Sequence, residues 1–128
     1  LVNSAHDCAE GGLAIALAEC AVGGETPLGF EVDLRDALPP VPLLFGEAQG
    51  RIILSCPADR VDELLETVRA YSVPARRIGT VAAAEDGLRI ALREGEVTVD
   101  TAAILESRRN ALPRRMDAGP ATTTAAEG

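Results

Sequence analysis

The chain is short of residues on which many binding functions depend. It has no Trp, and its aromatics are Phe30, Phe45 and Tyr71 alone, too few for a base-stacking platform or an aromatic ligand cage. Lys and Arg number 12 against 20 Asp and Glu, a formal net charge of −8. That balance argues against nucleic acid or an anionic membrane surface as a partner; an acidic surface is otherwise an ordinary route to solubility. No apolar run reaches membrane-spanning length, and no secretory signal pattern is present. Cys8, Cys20 and Cys56 are far apart and lack CxxC spacing, which suggests neither a disulfide framework nor a zinc site. Reduced thiols fit the cytoplasm. Cys20 and Cys56 fall at apolar positions of a helix and a strand, so Cys8 is expected to be the exposed thiol. The sequence permits a nucleophilic Cys8 with His6 as its base, although i and i+2 on a turn rarely align for that.

What is present is a globular quantity of Ala, Val, Leu and Ile, 47% apolar over 128 residues, enough for one domain with a real core. The chain starts at Leu1 rather than Met, and it is expected to be a piece of something longer. The stretch from Ser4 to Leu13 sets the ionisable side chains of His6, Asp7 and Glu10 beside the pair Gly11-Gly12, directly ahead of an apolar run. Leu13, Ala16, Leu17, Cys20 and Ala21 then recur at helical spacing, with Ala14, Ile15 and Ala18 widening the apolar surface. A helix start exposes unpaired N–H groups, and glycines there let an anion or another backbone approach. The plainer reading, which pattern alone favours, is a tight loop feeding a buried helix, with Asp7 as its cap and His6 satisfied within the loop.

Farther on, Gly23-Gly24 ends the first helix, and Phe30, Val32 and Leu34 alternate with charged residues as in a half-buried strand. The proline run from Leu38 to Pro42 reads as an irregular connection, and Leu43-Leu44-Phe45 as a short helical turn. The continuous apolar part of residues 46–56, from Ile52 on, suits a central strand buried on both faces. Ahead of it, Glu47, Gln49 and Arg51 sit two apart. If extended, they place a carboxylate, an amide and a guanidinium on one edge, either to bind a polar ligand or as a solvated strand end with a Glu–Arg pair. Pro57 opens a helix whose stripe is Val61, Leu64, Leu65, Val68 and Tyr71, with Asp59, Asp62 and Glu63 at its acidic start. Full burial of that stripe would make Val68→Asp cripple folding. Residues 76–81 read as a strand, Leu88 to Leu92 and Val97 to Val99 as a hairpin turning at Arg93-Glu94-Gly95, and Asp100 or Thr101 as the cap of a last helix limited by Pro113. The predicted class is α+β: a mixed, largely antiparallel sheet with helices packed mainly on one face. Residues 1–116 are expected to form the domain, and residues 117–128 a disordered tail.

Three segments in register go beyond this. His6-Asp7-Cys8-Ala9-Glu10-Gly11-Gly12-Leu13, Leu44-Phe45-Gly46-Glu47-Ala48-Gln49-Gly50-Arg51 and Arg77-Ile78-Gly79-Thr80-Val81, with Leu112-Pro113-Arg114 near the end, resemble the C-terminal domain shared by the aminoimidazole ribonucleotide synthetase superfamily. Within it the likeness is to the last domain of the synthetase subunit of phosphoribosylformylglycinamidine synthase. The resemblance implies a part of an ATP- and magnesium-dependent C–N ligase of purine biosynthesis. That enzyme activates the amide oxygen of formylglycinamide ribonucleotide, and ammonia from a glutaminase then yields the amidine. It further implies that this chain is the second-copy C-terminal domain, inert alone. Its partners would be an ATP-binding half of the same subunit, a glutaminase subunit and a small accessory subunit.

No catalytic or metal residue carries over. The residues implied for a ligand pocket or a domain interface are His6, Asp7, Glu10, Gly11, Gly12, Glu47, Gln49 and Arg51. Ala9 and Ala48 stand where the resembled pattern has Ser, each removing a hydroxyl. A structural role for His6 and Asp7 ranks above direct contact, so His6→Ala in the full subunit should lower stability or assembly more than it changes the substrate KM. The alternatives are another superfamily reaction (aminoimidazole ribonucleotide synthetase, thiamine-phosphate kinase or a hydrogenase-maturation ATPase) or a non-catalytic ligand- or partner-binding module.

Overall fold

A computed structural model of the chain describes residues 1–35 and 39–117. Its elements in order are β1 (Ser4–Asp7), α1 (Gly12–Val22), β2 (Gly29–Asp33), α2 (Pro40–Phe45), β3 (Ile52–Ser55), α3 (Val61–Ala70), β4 (Gly79–Ala82), β5 (Leu88–Leu92), β6 (Gly95–Val99) and α4 (Thr101–Asp117), with short 3₁₀ turns before α3 and before β5. The fold is α+β, as the sequence predicts. The larger sheet is four-stranded, in the order β4-β2-β5-β6. Only β2 and β5 run parallel within it; β4 and β6 are antiparallel to their neighbours.

Alternation along the central strands makes the core. Val32 and Leu34 from β2 and its end, and Leu88, Ile90 and Leu92 from β5, are buried on one face. There they join Leu13, Ala16 and Leu17 of α1 and Leu43 and Leu44 of α2, with Ile104 of α4 packed against the cluster. The opposite face carries Glu31, Asp33, Arg35, Arg77, Thr80, Arg89 and Glu96 around a shallow groove of about 360 Å³. Helices thus cover one side of this sheet, while charge and water cover the other. α1 packs against α2, α4, β1 and β2, so its broad apolar surface is covered from several directions.

The hairpin forms where the alternation puts it, with Leu92 opposite Gly95 and Leu88 opposite Val99. Asp100 caps α4, its Oδ1 accepting the Ala102 N–H at 2.8 Å. The buried Thr101 hydroxyl donates to the Leu28 carbonyl at 3.2 Å, and Arg108 donates to the carbonyl of Val22 at 2.8 Å. Val22 ends α1 and its carbonyl has no partner within the helix, so α4 ties down the C-terminus of α1.

Several expectations need correction. The segment before α1 is not all loop: β1 pairs antiparallel with β3, Ser4 opposite Ser55 and Asp7 opposite Ile52. Asp7 therefore does not cap α1, whose N-cap is Gly11 with no side-chain cap bond. β3 is not a central strand, because among the described residues β1 is its one partner, in a two-stranded ribbon. Ile52 is 63% exposed and Leu54 41% on the ribbon's outer face. A continuous apolar run records that both faces seek cover, not that this chain supplies it. The proline run enters a helix: Pro39 is the N-cap of α2 and Pro40 its first residue, where a missing N–H costs nothing. Leu38 lies outside the described residues. α4 runs through Pro113 to Asp117, and the expected disordered tail from 118 on lies outside the described residues.

α3 ends where expected but starts at Val61 rather than at Pro57, which instead caps a 3₁₀ turn over Ala58–Arg60. Its first turn is acidic, Asp62 and Glu63, but it contributes no fully buried residue, and Tyr71 is 79% exposed. The Val68→Asp expectation weakens accordingly, since Val68 is only half-buried. α3 closes with the paired bonds of a Schellman motif, Ser72 N–H to the Arg69 carbonyl at 2.8 Å and Val73 N–H to the Val68 carbonyl at 3.3 Å. Ser72 holds a φ of 58° there, a conformation that costs a residue with a Cβ roughly 1–2 kcal/mol. Ser72→Gly is expected to raise stability by about 1 kcal/mol, measured as a higher urea midpoint at unchanged slope.

Candidate functional site

The structure brings the first two motif segments together at the start of α1. Gly11 and Gly12 both have positive φ, 78° and 70°, and form a sharp turn from β1 into the helix. The reason for glycine at 12 is proximity. A Cβ there would lie 2.8 Å from the Leu44 oxygen and from the Phe45 carbonyl carbon, and 2.9 Å from the Gly46 oxygen. The turn is thus seated on the backbone that leaves α2. The Glu47 carboxylate completes the contact by accepting the Gly11 N–H at 3.0 Å, across 36 residues of sequence. α1 has no acidic residue in its first turn, so Glu47 is the negative group that meets its positive end.

Arg51 braces the same junction. Its guanidinium donates to the Leu43 carbonyl at 3.5 Å, and its own carbonyl accepts the Cys8 N–H at 2.9 Å. His6 faces α1, its Nε2 lying 2.8 Å from Glu19 Oε2 in an accessible pair. Asp7, Glu10 and Gln49 are exposed. Of the eight candidates, five are thus drawn into one junction or its flank, and three face outward. Glu47, Gln49 and Arg51 do not share one strand edge, because residues 46–51 are irregular with a turn at Gln49-Gly50, and the strand begins only at Ile52. The groove on the polar sheet face contains none of the eight.

Cys8 is buried at 6% exposure while Cys20 and Cys56 are half-buried, the reverse of the expectation. Burial pushes the Cys8 thiol up, with Arg51 opposing it and Asp7 reinforcing it, and burial likewise raises Cys20. A raised thiol is the opposite of an activated nucleophile, and the His6 ring is engaged by Glu19. Glu19 is the partner that sequence reasoning missed: it sits 13 residues from His6 on another element, and no local spacing signals it.

On the polar sheet face, Asp33 accepts from the Arg35 backbone N–H at 3.1 Å and from its Nε at 2.9 Å, with a further bond from Nη2. These bonds hold the Asp33 carboxyl down from 3.8 to about 2. A depressed carboxyl stabilises the fold in its ionised form, so the contribution is complete above pH 3.8 and is lost as pH falls through about 2. Asp33→Asn is expected to flatten that part of a plot of Tm against pH. The pair is open to solvent, so the change should be small and should fade further at high salt.

Residues 1–91 match the family described as AIR synthase related protein, C-terminal domain. The chain is 49% identical over 79 residues to phosphoribosylformylglycinamidine synthase subunit PurL of Moorella thermoacetica. It is 34% identical over 118 residues, 90% of its length, to the protein of that name from Synechocystis. It covers only 10% and 15% of those two relatives. The solved structure of T. maritima PurL complexed with FGAR superposes with a TM-score of 0.67 at 25% identity, over 81% of this chain and 18% of that one.

Proposed function

Because the chain belongs to the AIR synthase related protein, C-terminal domain family, we propose that it is the second-copy C-terminal domain of the ATP-dependent synthetase subunit that turns formylglycinamide ribonucleotide into formylglycinamidine ribonucleotide. On this reading the domain is residues 1–116, it acts in the cytoplasm, and it is inert alone. Its neighbours are the ATP-binding half of the same subunit, a glutaminase subunit and a small accessory subunit. What supports the reading most directly is that the chain matches 10–15% of each PurL relative while its two motif segments meet in one junction with Asp7, Glu10 and Gln49 facing outward. The junction gives the motifs a common purpose, to hold a surface in shape for a neighbour.

ATP and magnesium belong to this reading through the longer polypeptide. Among the described residues no cluster of three His, Cys, Asp or Glu could hold a metal ion, and the Glu47 carboxylate is spent on the Gly11 amide. The described residues thus do not make a magnesium site, and no step of the reaction runs through one here. Among the described residues no helix is long and apolar enough to cross a membrane.

The test is to titrate ATP and formylglycinamide ribonucleotide against the 128-residue chain and against the uninterrupted polypeptide encoded around it. No binding is expected to the first and binding with turnover by the second. Turnover by the isolated chain would refute the reading. A reading frame that opens at this boundary, with no Gly-rich ATP-binding sequence upstream, would favour a non-catalytic partner-binding module.

A further inference from the structure

Glu47 places an acidic side chain on the glycine turn, and its carboxylate is already in use. It accepts the Gly11 N–H at 3.0 Å, while Gly12 rests against the carbonyls of Leu44 and Gly46. The turn has no cap of its own, and Gly11 cannot gain a side chain, since a Cβ there would lie 2.4 Å from Ile15 Cγ1. Cap and contact must both come from the second motif segment, and Arg51 fixes the far end of that segment to Leu43 and to the Cys8 amide. We infer that Glu47 is a positioning residue: a latch acting through the Gly11 amide that sets the conformation in which Asp7 and Glu10 are presented, rather than a group that touches substrate, nucleotide or metal. The inference rests on the docking role proposed above and assigns Glu47 its part in it. The oxygen, not the charge, is what the latch requires, because a backbone amide is satisfied by any well-placed acceptor.

Amide NMR on the 128-residue chain tests the latch without nucleotide or turnover. In the wild type the Gly11 amide is expected to be protected from exchange by the Glu47 carboxylate. E47Q keeps an oxygen acceptor, so the amide should stay protected. E47A should lose that protection, with Gly11 exchanging about tenfold faster or more, the loss expected for one hydrogen bond to a charged group. Persistent protection of the β5 amides in E47A would mark the loss as local. In the uninterrupted polypeptide, E47Q is expected to restore at least half of the turnover that E47A loses. E47Q exchanging as fast as E47A, or equal loss of turnover in both variants, would overturn the inference. A wild-type polypeptide without turnover would count against the docking role and leave the amide test to decide the latch.

Discussion

Gly12→Ala is expected to destabilise the chain by about 2–5 kcal/mol, the sum of a left-handed backbone penalty of roughly 1–2 kcal/mol and an overpacking cost of roughly 1–3 kcal/mol. The backbone penalty follows from a φ of 70°. The packing cost follows from what the methyl group would meet: the Leu44 oxygen and Phe45 carbon at 2.8 Å and the Gly46 oxygen at 2.9 Å. All three are main chain, so no side-chain rotation relieves the clash, and either α1 or the end of α2 must move. Since α1 packs directly on α2, a shift of either reaches the core. A domain with an ordinary stability of about 5–15 kcal/mol would lose a large share of it, read as a fall in urea midpoint. Gly50→Ala is the control. Its φ is 77° but a Cβ there meets nothing within 4 Å, so it should lose only the backbone term. Equal effects at the two positions would show that the glycine turn is not seated on the segment after α2.

The elements that local pattern could specify were legible; those that depend on a distant partner were not. α3 and the β5–β6 hairpin carry their own period and turns, so both form, with α3 starting at Val61 rather than at the expected Pro57. Ser4–Asp7 has no apolar alternation, and its strand state comes from β3, beyond α1, β2 and α2 in the chain. The burial of Cys8 was hidden for the same reason, because His6, Asp7 and Glu10 around it are polar and the cluster it joins is built from elements distant in sequence. Proline misled at Pro40, where the same missing N–H that breaks a helix interior suits its first turn. The candidate site divides in the same way. A sharp glycine turn ahead of α1 could be read from the residues, whereas the meeting of Glu47 with Gly11 followed from neither period nor spacing. The resemblance supplied both segments, and the fold supplied their contact.

Ile90→Ala is expected to cost about 2–5 kcal/mol, the range for removing a large aliphatic side chain from a packed interior, whereas Val68→Ala on α3 should cost about 1 kcal/mol or less. The expected full burial of the α3 stripe would put Val68 among the costliest positions. The structure puts Ile90 first through its neighbours. Ile90 is 2% exposed on β5, paired with Val32 of β2 on one side and Val97 of β6 on the other, and it belongs to the cluster that α1 and α2 cover. Deleting its side chain leaves a cavity that two hydrogen-bonded strands hold open. Val68 is half-buried on a helix that adds no residue to that cluster. Chemical denaturation of the two variants decides between the rankings. A larger loss at Val68 would mean that α3 is part of the stabilising core of this chain. The smaller loss expected there leaves the apolar stripe of α3 as surface that the fold of this chain does not require.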